Sequence, residues 1–153
     1  MSKNEKCCIC GNPIKGWGNN PDPFPGEHCC DKCNNELIVP VRIFLQGLYK
    51  GYLALQPKID SVGIEMKTVR KVPLYQLQTL VDGPITFMTE SNSPNGNEYF
   101  RYLSSKFSFV VNEEGLLHNL PYNQLAKDMF NLDVVGTLVI VSKEAVVWLH
   151  LGD

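Results

Sequence analysis

Cys7-Cys8-Ile9-Cys10-Gly11 and Cys29-Cys30-Asp31-Lys32-Cys33 hold all six cysteines of this 153-residue chain, and the 120 residues after Cys33 hold none. Inside them lie two Cys-x-x-Cys pairs, Cys7/Cys10 and Cys30/Cys33, separated by 19 residues, positions 11 to 29. A gap of roughly 15–20 residues is the spacing of a four-cysteine zinc site. Zinc takes four thiolates tetrahedrally, and a two-residue spacer lets one tight turn aim two sulfurs at a single point. Gly11 follows Cys10, where a knuckle of this kind often needs a positive φ. The expectation is one structural Zn2+ held by Cys7, Cys10, Cys30 and Cys33, with no open coordination position for catalysis.

A disulfide framework is the competing reading, because six is an even number and small secreted domains use cysteines in that way. Three features weigh against it: the polar start Met1–Lys6 with no apolar stretch behind it, the confinement of the cysteines to one end, and a body large enough to need no staples. Cys8 and Cys29 stand outside the tetrad and read as small buried hydrophobes beside it, with alternate ligation as the other reading. His28 reads as a solvated turn residue.

Between the pairs, Gly16-Trp17-Gly18-Asn19-Asn20 is turn chemistry around one large aromatic, and Pro21-Asp22-Pro23-Phe24-Pro25-Gly26 is a rigid, non-helical loop. Some 35 residues bury too little apolar surface to fold alone, so the ion must supply what a core of about that size lacks. Residues 1–40 are therefore expected to form a four-cysteine zinc-binding module and residues 41–153 a separate body. After Cys33, Asn34 to Val39 reads either as a helical turn or as an extended exit, ended by Pro40. A helix there makes the module treble-clef-like, the slightly favoured reading; a strand makes it a zinc ribbon.

In the body, Val41–Gly47 reads as a short helix and Lys50-Gly51 as a break. Tyr52–Gln56 and the alternating Val62–Val69 form a hairpin around Pro57–Ser61. Leu74, Leu77, Leu80 and Val81 recur at helical spacing behind Pro73, taken as the first helical residue, and Gly83 supplies the stop. Ile85–Thr89 is a strand and Glu90–Asn97 a loop. Glu98–Leu103 and Phe107–Asn112 are expected to pair as strands across Ser104-Ser105-Lys106. Pro121 opens a second helix through Asn131, with Leu125, Met129 and Phe130 facing inward, and Gly136–Val141 and Ala145–Leu149 close the chain as strands. The class is α+β: a zinc ribbon or treble-clef-like module, then an antiparallel or mixed sheet with two helices.

Composition narrows the function. The chain carries 14 basic and 16 acidic residues, split four to five before residue 40 and ten to eleven after it. Neither part has the excess of Lys and Arg that nucleic-acid binding usually needs. No apolar run approaches the roughly 18 residues of a membrane span. His28, His118 and His150 lie far apart and form no ligand or catalytic pair. Glu113 and Glu114 are adjacent, and Asn112-Glu113-Glu114-Gly115 reads as a polar turn. Lys106-Phe107-Ser108-Phe109-Val110 faintly echoes a base-stacking strand, yet the basic residue is not followed by Gly and Asn112 stands where an aromatic belongs. Phe107, Phe109 and Val111 share one strand face and read as core.

The stretch Cys7 to Arg42 (Cys-Cys-Ile-Cys-Gly, Gly-Trp-Gly-Asn-Asn-Pro, Cys-Cys-Asp-x-Cys-Asn, Val-Pro-Val-Arg) resembles a zinc-binding cassette of small bacteriophage and mobile-element proteins. The body resembles an uncharacterised domain of such elements. Its marks are Leu80-Val81-Asp82-Gly83, Val111-Asn112-Glu113-Glu114-Gly115-Leu116, Leu120-Pro121-x-Asn123 and Val135–Val141. Glu90–Tyr102 is longer than that domain implies. The resemblance implies a phage or element origin and a bacterial cytoplasm, and brings no activity with it.

By association with that source, the expected function is a non-enzymatic binder acting on host machinery or sequestering a nucleotide-type host defence signal. Candidate ligand-binding residues are Asn112, Glu113, Glu114, Asn119 and Asn123, at a polar turn and a helix opening where free N–H groups receive an anion. The other readings are a nucleic-acid-associated regulator docking through its zinc module, whose binding would weaken steeply with salt, and a protein–protein adaptor with a dimerising sheet.

Overall fold

The computed structural model describes residues 5–57 and 63–147. The expected hairpin turn at 58–61, Val62, the stretch 148–149, His150 and the first four residues lie outside the described residues. A helical run follows the second cysteine pair at once: α1 (Asp31–Cys33), a π-helical turn (Asn34–Ile38) and α2 (Val39–Leu45). Pro40 was expected to end this segment, but the helix passes through it. Proline lacks the N–H and its ring crowds the carbonyl four residues back, so a helix containing it must loosen there. The wide π turn just ahead supplies that room, with Val39 N–H reaching back to the Asn34 carbonyl. Position 40, the expected module boundary, thus sits inside a helix.

The remaining elements are β1 (Gly51–Gln56), β2 (Gly63–Thr68), β3 (Val72–Pro73), α3 (Leu74–Val81), β4 (Ile85–Met88), α4 (Glu98–Leu103), β5 (Phe107–Asn112), α5 (Gln124–Phe130), β6 (Leu138–Ser142), a 3-10 turn (Lys143–Ala145) that takes Ala145 out of the expected last strand, and β7 (Val146–Val147). Five strands make an antiparallel sheet in the order β2-β1-β6-β5-β4, and β3 and β7 pair in parallel beside it. The class is α+β, as the sequence implies.

The central strands are apolar without alternation because both sheet faces are covered. On one face the register aligns Met66, Leu53, Ile140, Phe109 and Met88 in a single row. Under that face lie α2, α4, α5 and the cysteine module: Ile9, Ile14, Phe24, Cys29 and Ile38 belong to the same buried cluster as Phe44, Leu53 and Phe109. Phe109 meets Phe100 of α4 and Phe130 of α5 edge-on, at ring separations of 4.7 and 5.2 Å. On the other face, Ala54, Val139 and Val110 pack against Leu77 and Val81 of α3 and against Val72.

Three local readings change. Glu98–Leu103 is helix, not strand: Asn97 caps it by accepting from Phe100 N–H at 2.9 Å, and Phe100 and Leu103, one turn apart, are both buried. β5 therefore pairs with β4 and β6. Pro73 is the N-cap of α3 and not its first helical residue. Helix α5 starts at Gln124 behind the cap Asn123, while the Pro121-Tyr122 segment is bridged to Val135. No helix among the described residues is long and apolar enough to cross a membrane.

Candidate metal centre

Each cysteine pair sits on a turn shaped by its own backbone. Cys7 Sγ accepts from the N–H groups of Ile9 and Cys10 at 3.4 and 3.5 Å, and Cys30 Sγ accepts from Cys33 N–H at 3.5 Å. Gly11 takes φ +80 where the first turn closes onto the Cys7 carbonyl at 2.9 Å. The two turns are then tied together. Cys8 N–H donates to the His28 carbonyl at 3.0 Å, and Asn19 and Cys29 exchange two backbone bonds at 2.8 and 2.9 Å. Asn19 also donates its amide to Asp31 at 2.9 Å, fixing the start of α1.

As a result the sulfurs of Cys7, Cys10, Cys30 and Cys33 all lie within 4.8 Å of one another, and together they can hold a metal ion. Cys10 and Cys30 Sγ are 3.8 Å apart, far beyond an S–S bond of about 2.05 Å, and all six cysteines are free thiols. Burial opposes ionisation of Cys7, but the backbone donors of Cys10, Cys30 and Ile9 outweigh it and bring the thiol down to about 6. Burial and the hydrogen bonds among the clustered sulfurs push Cys33 the opposite way. A cluster of four sulfurs without a cation cannot ionise throughout, and a cation lifts that conflict. Cys8, raised to about 11 by burial and by its cysteine neighbours, and the fully buried Cys29 stand beside the tetrad, outside it.

Sequence reasoning missed how the rest of the chain holds this cluster. Arg42, on α2 beyond Pro40, donates from Nε to the Asp22 carbonyl and from a terminal nitrogen to the Asn20 carbonyl, both at 2.6 Å. The signal was present in Val-Pro-Val-Arg, but a cation-to-carbonyl clamp has no sequence spacing of its own. His28 is not merely solvated, since its Nδ1 is hydrogen-bonded to Glu5.

The candidate ligand residues separate into two groups. Asn112, Glu113 and Glu114 line a cleft of about 430 Å³ with Met88, Val111 and Val134, whereas Asn119 and Asn123 are not part of its wall. Asn112 serves the fold. Its Nδ2 donates to the carbonyls of Val81 and Asp82, and its Oδ1 accepts from Glu114 N–H. Asn123 is wholly buried, capping α5 through Ala126 N–H while its Nδ2 donates to the Leu55 and Gly136 carbonyls. The N–H groups expected to receive an anion are also engaged. Glu113 N–H meets Pro84 O, Gly115 N–H meets Asn112 O, Leu120 N–H meets Gly115 O and Asn123 N–H meets Val134 O. His118 faces Glu114 at 3.3 Å on the exposed side of the turn.

Compared with protein-family models, with curated proteins and with solved structures, the chain matches none.

Proposed function

We propose that this chain is a non-enzymatic zinc protein that binds another protein, made by a bacteriophage or mobile element and acting on host machinery in the bacterial cytoplasm. One observation carries the reading. Four thiolates about 2.3 Å from zinc define a tetrahedron whose edge is about 3.8 Å. The Cys10 and Cys30 sulfurs stand 3.8 Å apart in a group whose members are all within 4.8 Å. Soft thiolates suit zinc and not magnesium or calcium. A shell of four thiolates is closed, so the ion supplies structure and binds no substrate. Its binding free energy becomes folding free energy for the module, in the treble-clef-like arrangement that a helix after the second pair favours.

For the partner, the choice lies between a host protein and a nucleotide-type signal. A phosphate entering the cleft at residues 112–117 would meet the carboxylates of Glu113, Glu114 and Asp133, which are like charges to it. The backbone N–H groups of Glu113, Glu114 and Gly115 already have partners. Both facts favour a protein.

The test combines elemental analysis of protein purified under reducing conditions with calorimetry against cyclic dinucleotides and ADP-ribose-type signals. The reading expects one zinc per chain and no heat from the nucleotides. Folded, metal-free protein overturns the zinc assignment, and nanomolar nucleotide binding overturns the protein partner.

A further inference from the structure

We infer that the turn at residues 113–119 is a docking prong for a partner-protein segment carrying lysine or arginine beside apolar side chains. This deepens the protein-binding reading above and rests on it. Leu116 and Leu117 are consecutive and 81% and 77% exposed. Burying a leucine side chain is favourable, and the fold collects almost none of that gain here. They are not held out by a slack loop. Asn112 ties the turn's base to the Val81 and Asp82 carbonyls and accepts from Glu114 N–H, Glu113 N–H is held by the Pro84 carbonyl, and the turn closes on itself through His118 to Glu114 and Leu120 to Gly115. Gly115 has no room for a Cβ, which would stand 2.8 Å from Val135 Cγ2. A turn fixed in this way loses little further entropy when a partner seats on it.

Charge names the occupant. The leucines line the cleft of about 430 Å³ together with apolar Met88, Val111 and Val134 and the carboxylates of Glu113, Glu114 and Asp133. Among the described residues the Glu113 carboxylate has no hydrogen-bond or ion-pair partner. Asp133 meets Lys127 and Glu114 meets His118, each at 3.3 Å, which leaves the Glu113 carboxylate as the unpaired charge beside an apolar groove. A basic, amphipathic segment satisfies both the leucines and the carboxylates, whereas an acidic or purely apolar one leaves one set unmatched.

The probe is a synthetic amphipathic peptide of leucine and lysine, with a leucine–glutamate peptide of the same pattern as control. The variants are L116A/L117A and E113Q/E114Q in the full chain. The leucine–lysine peptide should bind wild type and shift amide resonances at residues 113–117 and 133–135. Affinity should fall about tenfold or more in L116A/L117A and several-fold in E113Q/E114Q, the latter with a flatter salt dependence. Three results overturn the inference: no binding to wild type, equal binding of the glutamate peptide, or unchanged affinity in both variants. Self-association seen by sedimentation in wild type and lost in L116A/L117A overturns it as well. Zinc content and far-UV circular dichroism are read on the same samples, so a failed prong in metal-loaded, folded protein leaves the zinc reading standing.

Discussion

Arg42 donates to the backbone carbonyl of Asn20 at 2.6 Å across 22 positions of sequence, and the same guanidinium takes the Asp22 carbonyl at 2.6 Å. The helix that crosses residue 40 thus holds the loop between the two cysteine pairs. This clamp joins the module to α2, and a shared buried cluster that contains Phe24, Ile38, Phe44 and Leu53 joins it to the sheet.

Replacing Arg42 with Ala should lower stability by about 1–2 kcal/mol, the scale of hydrogen bonds from a charged donor at a partly solvated site. Urea unfolding checks the magnitude. The four sulfurs do not depend on Arg42 for their own turns, so metal content should be unchanged.

Asn123→Ala should cost more, about 2–4 kcal/mol, because it removes a helix cap and strands two buried carbonyls, Leu55 O and Gly136 O. Asn123→Asp keeps the cap acceptor but loses the donor, and it should be destabilising as well. Thermal or urea denaturation of both variants separates the two roles. An Asn123→Ala protein as stable as wild type contradicts this account of the residue.

The fold should also respond to alkali through Tyr52. Burial first, then the Glu65 carboxylate that accepts from its hydroxyl at 3.0 Å, hold this phenol above the ordinary tyrosine value of 10.0. A folded-state value raised above the unfolded one gives stability that is fully present below the unfolded value. That stability is lost as pH rises from the unfolded value through the folded one. Urea stability should therefore decline above about pH 10, and Tyr52→Phe should flatten that decline. The absorbance of tyrosinate should show a late-ionising phenol in wild type that is absent from Tyr52→Phe.

Much of the architecture was legible because it rests on local chemistry. The cysteine spacing named the tetrad, and the apolar runs over 51–56 and 138–142 are the strands buried on both faces. Helix α4 was misread because Glu98–Leu103 is only six residues long and its aromatic content suits a strand equally well. The deciding signal was Asn97 followed by Glu98, an N-cap and an acidic first turn. Pro40 misled for a different reason: a proline usually ends a helix, and the π turn that accommodates it has no sequence signature. The candidate site was legible in part. The polar turn at 112–115 does border a cleft, but Asn112 and Asn123 resemble ligand groups only until their hydrogen-bond partners, at the end of α3 and on β1, are known.

Stripping the proposed ion with a chelator should unfold more than the module. Ile9, Ile14, Phe24 and Cys29 belong to the same buried cluster as Leu53 and Phe109 of the sheet, so loosening them removes part of that shared core. Circular dichroism should show loss of sheet as well as helix signal, restored by added zinc. Loss confined to residues before 40, seen by hydrogen exchange, would show instead that the two parts are energetically independent.

The most direct test is X-ray absorption at the zinc edge, on protein purified under reducing conditions with metal quantified in the same sample. One zinc per chain in a shell of four sulfurs at about 2.3 Å is the expected result. A shell containing nitrogen or oxygen, or folded protein that carries no metal, would contradict the assignment of Cys7, Cys10, Cys30 and Cys33 as the ligands.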